Sequence, residues 1–349
     1  MVKTIKFVSM PVSGRGGTET VLTKVLNHLA EQKDKYNIIL YLTQQPTQTW
    51  LNTFDKNIEI HICKDNKLSK LFYFTKIFNS ANNDDHFVIL GANIIPFANK
   101  MRKWFNKQYK ITSWIHYSLT HQKMFDPHNL LQADDHWAIS SSIQQQLLKM
   151  GVNKENIHLI FNPIEEQKET ITLGNDPIRL IYVGRLELEK QKNLQELFHF
   201  LAKNKNIQAN LFGKAENSTE FYSKMRKLNV HKQVMVHEWT PQPWKEIAKL
   251  KPTALIMTSN FEGLPMVSLE ALSYGVPCIL ANFDGAGDVI TNGLNGYLYQ
   301  QHDLDDLKDK VQLVSSGLEQ TEIKKSIQKF YYPEYFKRLN KILELEKNK

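Results

Sequence analysis

Apolar runs alternate with amphipathic segments along most of the chain. The first half opens with KTIKFVSM (3–10), a pattern typical of a buried strand. It is followed by TETVLTKVLNHLAEQ (18–32), whose apolar residues recur at helical spacing, with Thr18 as the predicted N-cap. Further strands are predicted at NIILYL, HFVILG, KITSWIH and DHWAIS. Strands that alternate with helices predict a parallel sheet covered by helices.

The second half repeats this plan. Predicted strands IRLIYVGR, NIQANLFG, QVMVHEW, ALIMTS, PCILAN and NGYLYQ are interspersed with the helices NLQELFHFLAK, STEFYSKMRKL and PWKEIAKL. Residues 162–177 are polar, rich in turn residues and without periodicity, which indicates a domain linker. We therefore expect two α/β domains, at 1–165 and 166–325, and a final helical segment at 326–349.

Composition limits where such a protein would work. No apolar run approaches the roughly 20 residues that a membrane span requires. The apolar stretch at the N-terminus is too short for a secretory signal. Cys63 and Cys278 lie far apart and form no metal or redox motif, as is usual in a reducing compartment. We expect a cytoplasmic protein.

The chain carries a net charge of +8, almost all of it from lysine, which indicates an anionic partner. It has no helix-turn-helix, zinc-finger or RNP-like pattern, so no nucleic acid is expected. Two basic, aromatic stretches, KLSKLFYFTKIF (67–78) and NKMRKWFNKQYK (99–110), suit either outer helices with their aromatics packed inward or peripheral contact with the membrane surface. Both interpretations stay open.

The most informative segment is SNFEGLPMVSLEALSYGVPCILAN (259–282). Glu262 and Glu270 lie eight residues apart across a predicted loop-to-helix junction, and the helix from Met266 to Tyr274 is closed by Gly275. A helix that begins here directs unpaired backbone N–H groups at a phosphate, and the two carboxylates suit the hydroxyls of a sugar. Solvated surface glutamates would show the same spacing.

This segment resembles the signature of the retaining glycosyltransferases of family 4. The resemblance implies the GT-B fold, in which two Rossmann-like domains with parallel sheets face a central cleft. It also implies that Glu262 faces the donor sugar and that Glu270 binds the ribose hydroxyls of the nucleotide. The backbone of the residues between them would approach the sugar and the diphosphate: Gly263, Leu264, Pro265 and Met266.

Two further loops fit the same family. GRLELEKQKN matches the family's phosphate-binding arrangement, which implies that Gly184, Arg185 and Lys190 stabilise the diphosphate leaving group without a metal. We therefore expect no cofactor and no metal ion, and interpret Asp303 and Asp305 as residues of a first helical turn. GRGGTETV matches the N-terminal loop, with Gly16 and Gly17 at the donor phosphate or the acceptor.

Residues of lesser weight lie in the first half. His116 matches a histidine that the family keeps near the donor sugar, which implies a sugar contact or a hydrogen bond in the transition state. Ser140 lies where the family's chain recrosses near the cleft, and Asn162 lies at the hinge. The first domain would be the acceptor side, and the last segment would cross back to it.

Across residues 13 to 272 the motifs are most similar to the 1,6-galactosyltransferases of lipopolysaccharide core assembly. This implies transfer of a hexose, galactose or glucose favoured, from a UDP-sugar to a glycan or glycolipid acceptor of the cell envelope, at the inner face of the membrane. The alternative is a non-catalytic GT-B subunit that acts in binding or as a chaperone. An epimerase on this fold would need catalytic carboxylates that the chain lacks.

Overall fold

The computed structural model describes residues 2–10, 16–63, 66–215 and 217–345, apart from the side chain of Lys67. The chain divides into two compact units. The first consists of Met1–Pro163 with Tyr335–Lys349, and the second of Ile164–Glu334. The boundaries expected from the sequence are 165 and 325. The polar segment 164–177 forms no helix or strand and belongs to the second unit.

A parallel sheet forms the centre of the first unit. Within the described residues it has seven strands in the order β3-β2-β1-β4-β5-β6-β7. The strands are β1 Lys3–Ser9, β2 Tyr36–Leu42, β3 Ile58–Ile62, β4 His86–Ile89, β5 Lys110–Ser113, β6 Asp135–Ala138 and β7 Ile157–Leu159. In register, Lys3 of β1 lies beside Tyr36 of β2, and Ser9 beside Leu42. Every residue of β4 is buried, as expected for a strand with helices on both faces of its sheet.

The second unit contains a six-stranded sheet in the described part of the chain, in the order β10-β9-β8-β11-β12-β13. All of its paired strands are parallel. The strands are β8 Ile178–Val183, β9 Ile207–Phe212, β10 Val234–His237, β11 Ala254–Met257, β12 Cys278–Ala281 and β13 Gly296–Tyr299. The adjacency of β8 and β11 matters most for the site, because residues about 70 positions apart in the chain come together at their ends.

Helices connect the strands. They are α1 Gly17–Ala30, α2 Gln48–Leu51, α3 Lys67–Asn79, α4 Ile95–Trp104, α5 Ser141–Lys149, α6 Leu194–Lys203, α7 Ser218–Lys227, α8 Pro243–Leu250, α9 Met266–Ser273, α10 Leu304–Ser315, α11 Gln320–Ser326 and α12 Tyr332–Leu345. None of the helices in the described ranges is long and apolar enough to cross a membrane. The two parallel sheets with their helices confirm the predicted α/β class.

Helix ends follow local chemistry, with one correction. Gly275 adopts φ +75°, the left-handed conformation that a residue after a helix often takes, so the predicted end of α9 is confirmed. Thr18 is not the N-cap of α1. The helix already begins at Gly17, and Gly16 occupies the cap with extended backbone. The Gly16 carbonyl accepts the Thr20 N–H at 3.2 Å, which starts the helix earlier than predicted.

The final helix α12 packs on the first unit from Tyr335 onward. The Phe336 ring stacks on that of His28 with centroids 3.6 Å apart. The Arg338 guanidinium donates to the Ile160 carbonyl at 3.0 Å and lies 5.3 Å from the ring of Phe161. Stacking and a charge-assisted hydrogen bond therefore hold α12 on the first unit.

A buried ion pair fixes the start of the first sheet. Lys6 on β1 contacts Asp85, which directly precedes β4, with 2.5 Å between Nζ and Oδ2. The two side chains are 8% and 3% exposed. Asp85 also accepts the backbone N–H of Asn82 at 2.8 Å. A charge buried this deeply is tolerated only when it is paired and hydrogen-bonded.

Replacing Asp85 with asparagine therefore leaves the buried Lys6 ammonium without its counter-charge. We expect the free energy of unfolding to fall by about 3 to 5 kcal/mol. Urea unfolding followed by tryptophan fluorescence measures it. The neighbouring Asp84 is exposed, so Asp84→Asn is the matched control and is expected to change stability by less than about 0.5 kcal/mol. Equal effects of the two substitutions would contradict the assignment.

Candidate functional site

The loops that follow β8 and β11 pack against each other. The two strands are parallel neighbours, so both loops leave the carboxyl edge of the sheet, where open α/β sheets bind ligands. The Asn260 backbone N–H donates to the Gln191 carbonyl at 2.8 Å, and its side-chain amide donates to the Lys190 carbonyl. The Thr258 hydroxyl donates to the Lys192 carbonyl at 3.0 Å. Hydrogen bonds to three successive backbone carbonyls, from Lys190 to Lys192, thus set the spacing of the two loops.

Glu262 lies at the centre of this contact. One carboxylate oxygen accepts from Lys192 Nζ at 2.6 Å and from the Ser259 hydroxyl at 2.8 Å. The other accepts from Gln191 Nε2 at 3.1 Å. The Glu262 and Lys192 side chains are only 10% and 15% exposed. Three donors therefore hold the carboxylate in one orientation, as a preorganised polar site requires.

Arg185 joins the same network through one intermediate. Its guanidinium donates to Gln191 Oε1 at 2.8 Å, and the amide of Gln191 donates in turn to Glu262. The guanidinium also lies 3.7 Å from the Glu187 carboxylate, and the Arg185 side chain is 56% exposed. Arg185 is thus oriented by Gln191 while much of its cationic surface faces solvent. An exposed, oriented guanidinium is suited to bind a phosphate.

The two lysines of this loop differ in their surroundings. Lys190 is exposed and has a left-handed backbone, φ +58°. Lys192 is mostly buried and contacts Glu262 directly. An ammonium has three donors, so Lys192 retains hydrogen-bonding capacity beyond this ion pair. The motif in the sequence pointed to Lys190 and not to Lys192 or Gln191. The only sign of Lys192 in the sequence is that a second lysine follows Lys190 two residues later.

Glu187 stabilises the turn of this loop through hydrogen bonds to its backbone. Its buried carboxylate accepts the backbone N–H groups of Gln191 at 2.9 Å and Lys192 at 3.0 Å. Asn193 then adopts the left-handed conformation, φ 50°, immediately before α6. These constraints turn the chain so that Lys192 contacts Glu262, whereas Lys190 is exposed. Sequence spacing alone does not contain this information.

Glu270 lies within α9, one turn beyond the loop. Its carboxylate accepts from Trp244 Nε1 of α8 at 3.0 Å, and the Trp244 ring stacks on Tyr274 with centroids 5.4 Å apart. Burial raises the pKa of Glu270, and the hydrogen bond from Trp244 partly offsets this. The indole therefore fixes the direction of this carboxylate. Trp244 was not singled out from the sequence.

The predicted backbone-binding residues surround the start of α9. Leu264 is buried, and Gly263 precedes it at the bend of the loop. The helix begins at Met266. Pro265 is its N-cap and makes no side-chain cap hydrogen bond. The first N–H groups of such a helix have no partner within it and favour an anion. This end of α9 is therefore suited to a phosphate or an electron-rich hydroxyl.

Gly184 directly follows β8 and has φ +150°, a conformation that residues with side chains rarely adopt. Its carbonyl lies so near Gly213, at the end of β9, that a Cβ on Gly213 would sit 1.9 Å from it. The two glycines thus allow the ends of neighbouring strands to approach each other closely. Gly184 has a structural role here in addition to its predicted position at the diphosphate.

The predicted residues of the first unit lie at the carboxyl edge of its own sheet. Gly16 and Gly17 begin α1 after β1, while residues 11–15, including Gly14 and Arg15 of the glycine-rich loop, fall outside the described residues. His116 follows β5. Ser140 caps α5 by accepting the Ile143 N–H at 3.2 Å.

His116 is a neutral group. Its ring packs against Trp114 with centroids 4.8 Å apart, and its Nε2 is buried without a hydrogen-bond partner among the described residues. Burial lowers its pKa from 6.5 to about 3. At neutral pH it can therefore donate or accept a hydrogen bond as an imidazole, but it carries no charge. Asn162, also predicted, is buried, and its side-chain oxygen is without a partner within the same ranges.

The acidic residues at the start of α10 belong to its N-terminal cap and first turn. Asp303 is its N-cap and accepts the backbone N–H groups of Asp305 at 3.0 Å and Asp306 at 2.9 Å. Among the residues that the structure describes, no group of three or more His, Cys, Asp or Glu side chains is arranged to hold a metal ion.

Comparison with known proteins agrees with this geometry. The model of the family Glycosyl transferases group 1 matches residues 163–329. Lipopolysaccharide 1,6-galactosyltransferase of Salmonella typhimurium is 31% identical over 96% of this chain and 97% of its own length. The enzyme of the same name from Escherichia coli is 30% identical over 97% of both chains.

Solved structures give the same result. The lipopolysaccharide outer core galactosyltransferase WaaB, in its apo form, superposes with a TM-score of 0.87 at 31% identity, covering 98% of this chain and 99% of that one. Anabaena HepE in complex with UDP has a TM-score of 0.76 at 16% identity, over 99% and 100% of the two chains, which shows a shared fold. The architecture is thus the predicted GT-B fold. The chain belongs to the group 1 glycosyltransferases, family 4, whose members retain the anomeric configuration.

Burial of His116 predicts a loss of stability in acid. The folded pKa lies near 3 and the unfolded one at 6.5, so this contribution to stability is complete above pH 6.5. As the pH falls below 6.5, the unfolded chain binds a proton that the folded chain does not, which costs up to about 1.4 kcal/mol per pH unit. Urea unfolding at several pH values measures this slope, and His116→Gln is expected to reduce it.

His136 provides a second test of the same effect, since burial lowers its pKa to about 4. Its Nδ1 lies 2.7 Å from the Ser113 hydroxyl, so His136→Asn keeps a polar partner for that group. This variant should also flatten the slope. A slope that is unchanged in both variants would show that neither histidine is neutral in the folded protein.

Proposed function

We propose that this enzyme transfers a hexose, galactose or glucose favoured, from a UDP-sugar to a glycan or glycolipid acceptor of the cell envelope. The observation that carries the proposal is the network around Glu262, in which Lys192 contacts the carboxylate directly and Arg185 is linked to it through Gln191. This combination suits a sugar diphosphate, because a carboxylate can accept hydrogen bonds from the sugar hydroxyls and the cations can bind the phosphates. Relatives named as galactosyltransferases and as a poly(glycerol-phosphate) alpha-glucosyltransferase, the latter from Bacillus subtilis, support the sugar class.

We assign the following roles in donor binding. Glu262 accepts hydrogen bonds from the sugar hydroxyls, and Glu270 accepts them from the ribose. The backbone from Gly263 to Met266 approaches the sugar and the diphosphate at the start of α9. Gly184 permits the loop after β8 to approach the phosphates. Arg185 and Lys192 neutralise the diphosphate, and Lys190 supports them from a more exposed position.

The chemical step then proceeds without an enzymic nucleophile. The bond between the anomeric carbon and the β-phosphate oxygen breaks, and UDP leaves with the electron pair. The acceptor hydroxyl attacks the anomeric carbon from the same face and passes its proton to the departing phosphate. Charge that develops on the phosphate is stabilised by Arg185 and Lys192. His116, as a neutral imidazole, contributes a hydrogen bond to the sugar.

The acceptor is assigned to the first unit by the position of its predicted residues. Gly16 and Gly17 follow β1 at the carboxyl edge of that sheet. The relatives named for lipopolysaccharide support an envelope glycan as the acceptor class. A UDP-sugar donor fits a cytoplasmic enzyme, as do Cys63 and Cys278, which are both buried and not joined in a disulfide.

The donor assignment is tested by release of nucleoside diphosphate from a panel of UDP-, GDP- and ADP-sugars. We expect slow hydrolysis of one UDP-hexose by the wild type. Glu262→Ala and Arg185→Ala should each lower that rate by about two to three orders of magnitude, since each removes a preorganised contact in the transition state. Release from a GDP- or ADP-sugar alone would contradict the proposed donor.

Lys190 and Lys192 form a matched pair two residues apart in one loop. We expect Lys192→Ala to reduce UDP-sugar hydrolysis by about a hundredfold or more, whereas Lys190→Ala reduces it by less than about tenfold. The physical reason is that Lys192 is held at Glu262 and Lys190 is exposed. Steady-state rates of UDP-sugar hydrolysis by both variants test this expectation. A larger loss of rate in Lys190→Ala would show that Lys190 is the more important lysine at the diphosphate.

A further inference from the structure

Helix α3 exposes an apolar stripe at its N-terminal end. Leu68, Leu71 and Phe72 are 82%, 55% and 74% exposed. They are spaced three and four residues apart, so they lie on one face of the helix. Exposed apolar residues that occur singly need no explanation, but three on one face of a single helix indicate an interaction surface.

The stripe is additional to the face with which α3 packs on its own domain. Phe78 packs on Phe87 of β4 with ring centroids 5.0 Å apart, and Phe74 packs near Phe97 of α4 at 6.3 Å. The helix is therefore apolar on two sides, of which only one is covered by the first unit.

The charges around the stripe select the partner. The sequence of α3 contains three lysines and no acidic residue. The neighbouring α4 adds the exposed Lys100 and Lys103, whereas its arginine, Arg102, is paired with Asp134. Lys76 lies one turn beyond Phe72 on the same side of α3 and is exposed. An apolar stripe among cations complements an anionic lipid surface. A second copy of this chain, which carries a net charge of +8, would bring like charges together.

We propose that α3 docks the first unit on an anionic membrane surface. Leu68, Leu71 and Phe72 insert into the boundary between headgroups and acyl chains, and the exposed Lys76 contacts lipid phosphates. Because α3 follows β3, its first turns lie at the carboxyl edge of the sheet, the edge at which such sheets bind ligands. The surface therefore holds that edge next to the bilayer. The inference does not depend on the identity of the sugar.

Co-sedimentation of the full-length protein with vesicles tests this proposal. Vesicles of phosphatidylglycerol and phosphatidylcholine in equal parts are compared with vesicles of phosphatidylcholine alone. We expect binding to the anionic vesicles that weakens with added salt, and at least about tenfold weaker binding to the neutral ones. Leu68→Ser/Leu71→Ser/Phe72→Ser is expected to lose about tenfold or more in partition to anionic vesicles, and Lys76→Glu to lose roughly tenfold.

The matched control is Met235→Ser/Leu313→Ser, which removes exposed apolar residues of the second unit and should bind as the wild type does. The triple variant should retain wild-type UDP-sugar hydrolysis without vesicles, which separates loss of docking from loss of folding or of donor chemistry. Undiminished vesicle binding by the triple variant would overturn the proposal. So would a dimer in light scattering that depends on Leu68 and Phe72 while anionic vesicles are not bound.

Discussion

The ion pair between Lys192 and Glu262 is the interaction on which the donor side of this protein depends. It joins two loops that are about 70 residues apart in sequence and adjacent only because β8 and β11 are neighbours in the sheet. A buried ion pair adds little net stability, since desolvation offsets the attraction of the charges. Here Ser259 and Gln191 complete the hydrogen bonds of the carboxylate. We infer that the pair is retained to orient its charges.

A second polar cluster, centred on Glu196, stabilises the start of α6. Glu196 is buried and accepts from Asn193 at 2.7 Å, from Tyr299 at 2.7 Å and from His302 Nδ1 at 2.8 Å. Burial, together with the nearby Glu196 carboxylate, raises the pKa of Tyr299 well above its usual value, so its hydroxyl remains a donor. The loop that carries Arg185 and Lys192 is thus fixed at its far end to β13. Rigid support of this kind is what a preorganised site needs.

The family model covers residues 163–329, which is nearly all of the second unit and almost none of the first. A physical reason is that the second unit carries the proposed donor site, and nucleotide sugars share a diphosphate and a ribose. Acceptors differ more in shape and charge.

The parallel α/β architecture and the end of α9 at Gly275 followed from the sequence alone, which also indicated Glu262 and Glu270 as candidate site residues. These features depend on periodicity, on turn residues and on short spacings, all of which can be read from the local sequence. Which lysine contacts Glu262 depends on the folded chain, because Glu187 and the left-handed Lys190 and Asn193 set the direction of the loop. The same holds for the neutral state of His116 and for the side of α3 that is left uncovered. Burial and the approach of distant strands are properties of the folded chain, and no local pattern records them.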